Sequence, residues 1–108
     1  MTRPVKPQYS LRVQCLDDNN EVNGPQITAY GRAAWALKHL IDAGDRGCTP
    51  IDQPGPRWSH YTYLLRKKMG FTIETVHEKH GGTFAGTHAR YRLHSKVEVL
   101  EDNTGAAA

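Results

Sequence analysis

WSHYTYLLRKKMGFTIETVHEKHGG, running from Trp58 to Gly82, changes its hydrophobic period at one glycine, and that change decides the fold. Before Gly70, Trp58, Tyr61, Leu65 and Met69 recur at three- and four-residue spacing. At 100° per residue they share an arc of about 80°, which predicts a helix over Trp58–Met69 with that arc on the core. Ser59, His60, Tyr63 and Lys67 lie opposite, with Arg66 at the margin. No acid stands among them, although a solvated helix face ordinarily mixes both signs. After Gly70 the period becomes two. Phe71, Ile73 and Thr75 point one way, and Ala89, Tyr91 and Leu93 do the same farther on. Between the runs lies the glycine-rich HGGTFAGTH of residues 80–88. Two strands joined by a long flexible loop form a β-hairpin with a mobile tip.

The charge of the chain is concentrated in the same stretch. The 108 residues carry a net +3, which alone implies only a mildly basic protein. Residues 1–56 balance six Lys and Arg against six acids. Residues 57–96 hold eight cations against Glu74 and Glu78, and residues 97–108 add three acids. All the excess positive charge, with five of the six histidines, therefore lies in residues 57–96, which contain the segment just quoted and the strand that follows it. At 38% apolar and 23% charged, with a mean hydropathy of -0.65, the composition allows one small core. There is no run of ~20 apolar residues and no leader-like start, so a cytoplasmic protein without a membrane span is expected. In that compartment Cys15 and Cys48 are expected as free buried thiols.

Upstream, Ala33, Ala36, Leu37, Leu40 and Ile41 recur at helical spacing, with Thr28 as the expected N-cap and Gly44 as a C-terminal αL residue. Thr49-Pro50 has the chemistry of a second helix start, which Pro54-Gly55-Pro56 ends after about one turn. Ser10–Leu16 alternates and predicts a short strand before the turn-forming Asp17-Asp18-Asn19-Asn20. Lys96–Leu100 alternates again, as a last strand or a dimer contact. The divisions that follow are an arm with a strand over residues 1–27, a domain over 28–100 and a disordered tail over 101–108.

Helix, short helix, helix and hairpin with a glycine-rich tip is the order of a winged helix-turn-helix. The expected class is α+β, with three helices, the second short, a β-hairpin wing and room for an extra N-terminal strand. The run Trp58–Gly82, with its Leu65-Arg66-Lys67 and Gly70-Phe71 core, and the later GTHARYRL of residues 86–93 also resemble the winged-helix domains of bacterial, especially alphaproteobacterial, and phage proteins. The resemblance covers roughly Ala33 to Val99. It implies double-stranded DNA binding by a small regulator or an accessory protein of a mobile element. It sets the recognition helix on Trp58–Lys68 and the wing on Phe71–Leu93.

A recognition helix offers Arg, Lys, Ser, Tyr or His to base edges, and a wing follows the backbone or enters a minor groove. The expected contacts are Ser59, His60, Tyr63, Arg66 and Lys67 in the major groove and Arg57, Lys79, His80, Arg90 and Arg92 at phosphates, with Thr83 and His88 as further DNA-binding residues of the wing. Arg66 has a second reading, as a tie from the helix to the wing through Glu74. Phe84, at the wing tip, is read as a minor-groove or protein contact. Trp35 and Trp58 are read as core or core-edge residues rather than stacking platforms. A single module covers only ~600 to 1,000 Å² of DNA-facing surface, so a homodimer or a cooperative array is expected.

Competing chemistries have less support. His77, His80, His88 and His94 with Cys48 or Glu78 could be imagined around zinc, but the spacing matches no metal motif. The glycine-rich loop leads into a strand and lacks the lysine of a phosphate-binding loop. No nucleophile, base and orienting acid occur in supporting context. No enzyme activity, cofactor or metal is expected. The main reading is a sequence-specific transcriptional regulator. Its alternatives are an excisionase-type directionality factor and a protein-interaction module that does not bind DNA.

Overall fold

Strand β1 (Ser10–Leu16) sends Leu11 and Val13 into the core, as its alternation predicts. A computed structural model describes residues 9–104, Pro56 and Phe84 excepted. The arm residues 1–8, the wing-tip Phe84 and residues 105–108 of the expected tail lie outside the described residues. After the Asp17–Asn20 turn the chain returns as β2 (Val22–Tyr30), antiparallel to β1. Residue pattern alone predicts no strand here, because Asn23-Gly24-Pro25 has the composition of a turn. The register explains the difference. Gln14 pairs with Gln26 and Leu16 with Val22, so Asn23, Gly24 and Pro25 bulge opposite Cys15. Gly24 takes φ +104°, and the amide of buried Gln14 donates to the Gly24 carbonyl at 3.0 Å. Pro25, without an N–H, is tolerated because β2 is an edge strand.

Strand β2 runs directly into helix α1 (Gly31–Ala43). The expected N-cap Thr28 lies inside β2, paired with Arg12, and the capping position is Tyr30. Gly31, at φ +61°, turns the chain from strand to helix while its N–H is held by the Tyr9 carbonyl at 2.9 Å. Ala33, Ala34, Ala36, Leu37 and Leu40 are buried. At the far end the Gly44 N–H bonds to the Leu40 carbonyl, but with ψ at -134° the residue is not αL. A 3₁₀ turn (Gly44–Arg46) follows.

The described residues contain two α-helices where three were expected. Thr49 does start a turn: its hydroxyl accepts the Asp52 N–H, its own N–H donates to the Gln53 side chain, and the Gln53 N–H reaches its carbonyl at 2.9 Å. The next helical donor would be the N–H of residue 54, which proline lacks, so the turn does not propagate. Helix α2 (Trp58–Lys67) buries Trp58, Tyr61, Thr62 and Leu65, and Met69 packs half-buried just beyond it. Gly70, at φ +82°, then reverses the chain into the hairpin.

That hairpin is β3 (Ile73–His80) paired with β4 (Gly86–Leu93), from Ile73↔Leu93 to His80↔Gly86. His80 and His88 are therefore strand residues, and the connecting loop is only residues 81–85. Cys48 exchanges two 2.8 Å backbone bonds with Tyr91 on the other edge of β4. Gly47 makes this approach feasible: its φ is +72°, and a Cβ there would overlap the Tyr91 carbonyl oxygen. Strand β5 (Lys96–Asp102) closes a second sheet of order β2-β1-β5, all antiparallel. Residues on both sides of the position 27/28 division thus share one strand, and the last strand extends to Asp102.

One core joins these parts. Leu11 and Val13 of β1 meet Leu37 and Leu40 of α1, Leu65 of α2, and Phe71, Ile73 and Tyr91 at the base of the hairpin. Trp58 stacks on Tyr91 at 5.9 Å, touches Trp35 at 5.2 Å and donates its indole N–H to the Gln53 carbonyl. Both tryptophans are thus packed into the structure and both cysteines are free.

Candidate nucleic-acid interface

Because α2 buries one face, Ser59, Tyr63 and Lys67 are left exposed and His60 half-exposed. Lys68, which the helical pattern does not single out, is exposed at the C-cap beside them. Arg57 precedes the helix at φ +67° and is exposed. The α2 face has no acid, and its cations find no carboxylate. Among the described residues Arg57, Lys67, Lys68 and Lys79 make no ion pair.

Arg66 does something else. Its Nε donates to the Ile73 carbonyl at 2.9 Å and its terminal nitrogen bonds the Thr75 hydroxyl. The tie from helix to wing exists, but through the β3 backbone and Thr75 rather than through Glu74. It ties the last turn of α2 to the start of β3, on the odd-numbered side that carries Thr75. Farther along that side stand His77 and Lys79, both exposed, opposite Ala89 and Thr87. Four residues separate Thr75 from Lys79, about 14 Å along a strand, so Lys79 extends the cationic margin of the helix toward the tip. Thr83 is exposed at the tip itself.

The even-numbered side carries the remaining wing residues, and it is engaged with the protein. Arg90 donates to Glu78 at 2.6 Å and to the Arg46 carbonyl at 2.8 Å. Arg92 donates to the Asp45 carbonyl and lies 3.7 Å from Glu74. His88 Nε2 is 3.0 Å from Glu78, and His94 Nε2 is 2.8 Å from Glu74. The Nδ1 atoms of His80 and His88 are 3.0 Å apart. Of the twelve residues read from the sequence as contacts, the structure therefore leaves Ser59, His60, Tyr63 and Lys67 on the open face of α2 and Lys79 exposed on the odd-numbered side of β3, with Arg66 tying that helix to that strand. It sets His80, His88, Arg90 and Arg92 on the opposite side of the wing. Period-two alternation assigns Arg90 and Arg92 to a strand, but not to the face that meets the 3₁₀ turn, and the glycine-rich composition of residues 80–88 reads His80 and His88 as loop.

These contacts shift the acids. The hydrogen bond from His94, then the nearby charges, hold Glu74 below the usual carboxylate value, and that from Arg90 does the same for Glu78. Burial pushes the Cys48 thiol up to about 11, so it stays protonated at neutral pH. No three His, Cys, Asp or Glu side chains among the described residues are grouped to hold a metal ion. No helix among them is long and apolar enough to cross a membrane.

Comparison with curated proteins and with solved structures gives no match. A family profile described as a winged helix domain matches residues 26–103, from within β2 to one residue past β5. The chain belongs to that family.

Proposed function

As a member of the winged helix domain family, the protein, we propose, binds double-stranded DNA sequence-specifically and serves as a small transcriptional regulator in the cytoplasm of a bacterium or in a phage-like element. One observation carries the reading: the exposed face of α2 presents Ser59, His60, Tyr63, Lys67 and Lys68 with no acid among them. Tyr63, His60 and Ser59 supply hydrogen-bonding groups for base edges, and Arg57, Lys67, Lys68 and Lys79 supply phosphate contacts. Thr83 and the loop of residues 81–85 meet the backbone or the minor groove.

A second copy completes the site. One module covers only ~600 to 1,000 Å² on DNA, and β5 offers a free edge with Val99 and Leu100 exposed. Antiparallel pairing of two such strands about Val99 brings Lys96 opposite Asp102, which favours this register. Selection of bound sequences from a random duplex pool, followed by footprinting, tests the reading. A short palindrome is expected. Direct repeats bound as an array would move the assignment to a directionality factor, and failure to enrich any sequence would contradict sequence-specific binding.

A further inference from the structure

On the even-numbered face of the wing, near its tip, two histidines face each other through the same ring nitrogen. His80 and His88 stack at 5.1 Å between ring centroids and bring their Nδ1 atoms to 3.0 Å. His88 is held from behind: its Nε2 lies 3.0 Å from Glu78 Oε1, and Arg90 fixes the other oxygen of that carboxylate at 2.6 Å. A carboxylate acceptor keeps the His88 proton on Nε2, which turns the Nδ1 lone pair toward His80. A carboxylate, a histidine and an inward-facing ring nitrogen in series is the arrangement by which proteins orient imidazole toward a metal ion.

We propose that His80 and His88 form a two-nitrogen site for a borderline divalent cation such as Zn²⁺, with Glu78 orienting His88 from outside the coordination sphere. Zn–N bonds of about 2.0 to 2.1 Å at a tetrahedral angle separate two ligand nitrogens by about 3.3 Å. The observed 3.0 Å needs to open by only a few tenths of an ångström. Water or an anion completes the coordination, since no third protein ligand of the usual kinds is grouped with the pair among the described residues. On binding, neutral His80 carries its proton on Nε2, so both imidazoles remain neutral ligands. Residue 80 is at the end of β3 and residue 88 is in β4, so the ion clips the two strands together directly below the loop of residues 81–85. Four histidines in the hairpin make zinc conceivable from the sequence. The register selects these two and leaves out His77, on the opposite face, and His94, bonded to Glu74. The site stands on the geometry of the wing and is independent of DNA binding.

The test is calorimetric titration of the untagged, chelator-stripped full chain with Zn²⁺, alongside His80→Gln, His88→Gln, Glu78→Gln and the double variant His77→Gln/His94→Gln. The expected result is one saturable equivalent, lost in the first two variants, weakened roughly tenfold or more in Glu78→Gln and retained in the double variant. No saturable binding, binding that survives both single histidine variants, or binding lost with His77 and His94 would overturn the proposal. Should a variant not fold, paramagnetic Ni²⁺ added to the native protein decides the matter by NMR. Selective broadening of the His80 and His88 ring signals supports the site, and broadening confined to other histidines overturns it.

Discussion

Arg66 and Lys67 are neighbours on one helix turn with opposite tasks. Arg66 is held by the Ile73 carbonyl and the Thr75 hydroxyl, so Arg66→Ala leaves a backbone acceptor without its cationic donor. A loss of roughly 1 to 3 kcal/mol is expected in urea denaturation. Lys67→Ala touches no internal partner; its stability should stay within about 0.5 kcal/mol of the native chain while duplex affinity falls. Equal effects of both variants on stability would contradict this division. Gly47 gives a second prediction at this scale. Its positive φ and the Tyr91 carbonyl oxygen in the path of any added Cβ mean that Gly47→Ala must displace Cys48 from β4. Thermal denaturation should show a loss of at least about 1 to 3 kcal/mol; an unchanged midpoint would show that the strand contact yields freely. The helical face of residues 58–69 is legible in the sequence because a 3.6-residue period needs only the identity of the apolar side chains. The partner of Arg66 is not, since a carbonyl acceptor leaves no mark in residue type.

Among the elements, the wing depends on its two acids. Glu74 and Glu78 titrate below the ordinary glutamate value of 4.5 because His94 and Arg90 donate to the ionised forms. Their contribution to stability is therefore complete above that value and is lost as pH falls through the lower folded-state values. In urea titrations from pH 6 to pH 3, Glu78→Gln should lose less stability than the native chain; parallel curves would show that the carboxylate adds nothing to the fold. The hairpin is foreseen from its alternation, although its strands run closer to the tip than the glycines indicate. Strand β2 is hidden by a three-residue bulge with turn-like composition, and the second helix fails at a single missing N–H. Both outcomes turn on backbone partners: Gln14 from β1 satisfies the bulge, while no later donor extends the Thr49 turn.

Across the molecule, the net charge has a spatial order that a count conceals. The acids of the +6 segment face the even-numbered side of the wing, where Arg90 and Arg92 answer them. Among the described residues Arg57, Lys67, Lys68 and Lys79 make no ion pair around α2 and the outer wing. Glu98, Glu101 and Asp102 lie on β5, where Asp102 meets Lys38 at 3.3 Å. A duplex approaching the α2 side therefore meets cations without competing carboxylates. The central claim is that these four cations meet phosphates, and fluorescence anisotropy of a labelled duplex across a salt series at pH 7.5 tests it most directly. Four contacts predict a log-log slope of about -3.6 per bound chain, reduced by about one in each of Lys67→Ala and Lys79→Ala. A flat salt response, or no binding at low salt, would contradict the account.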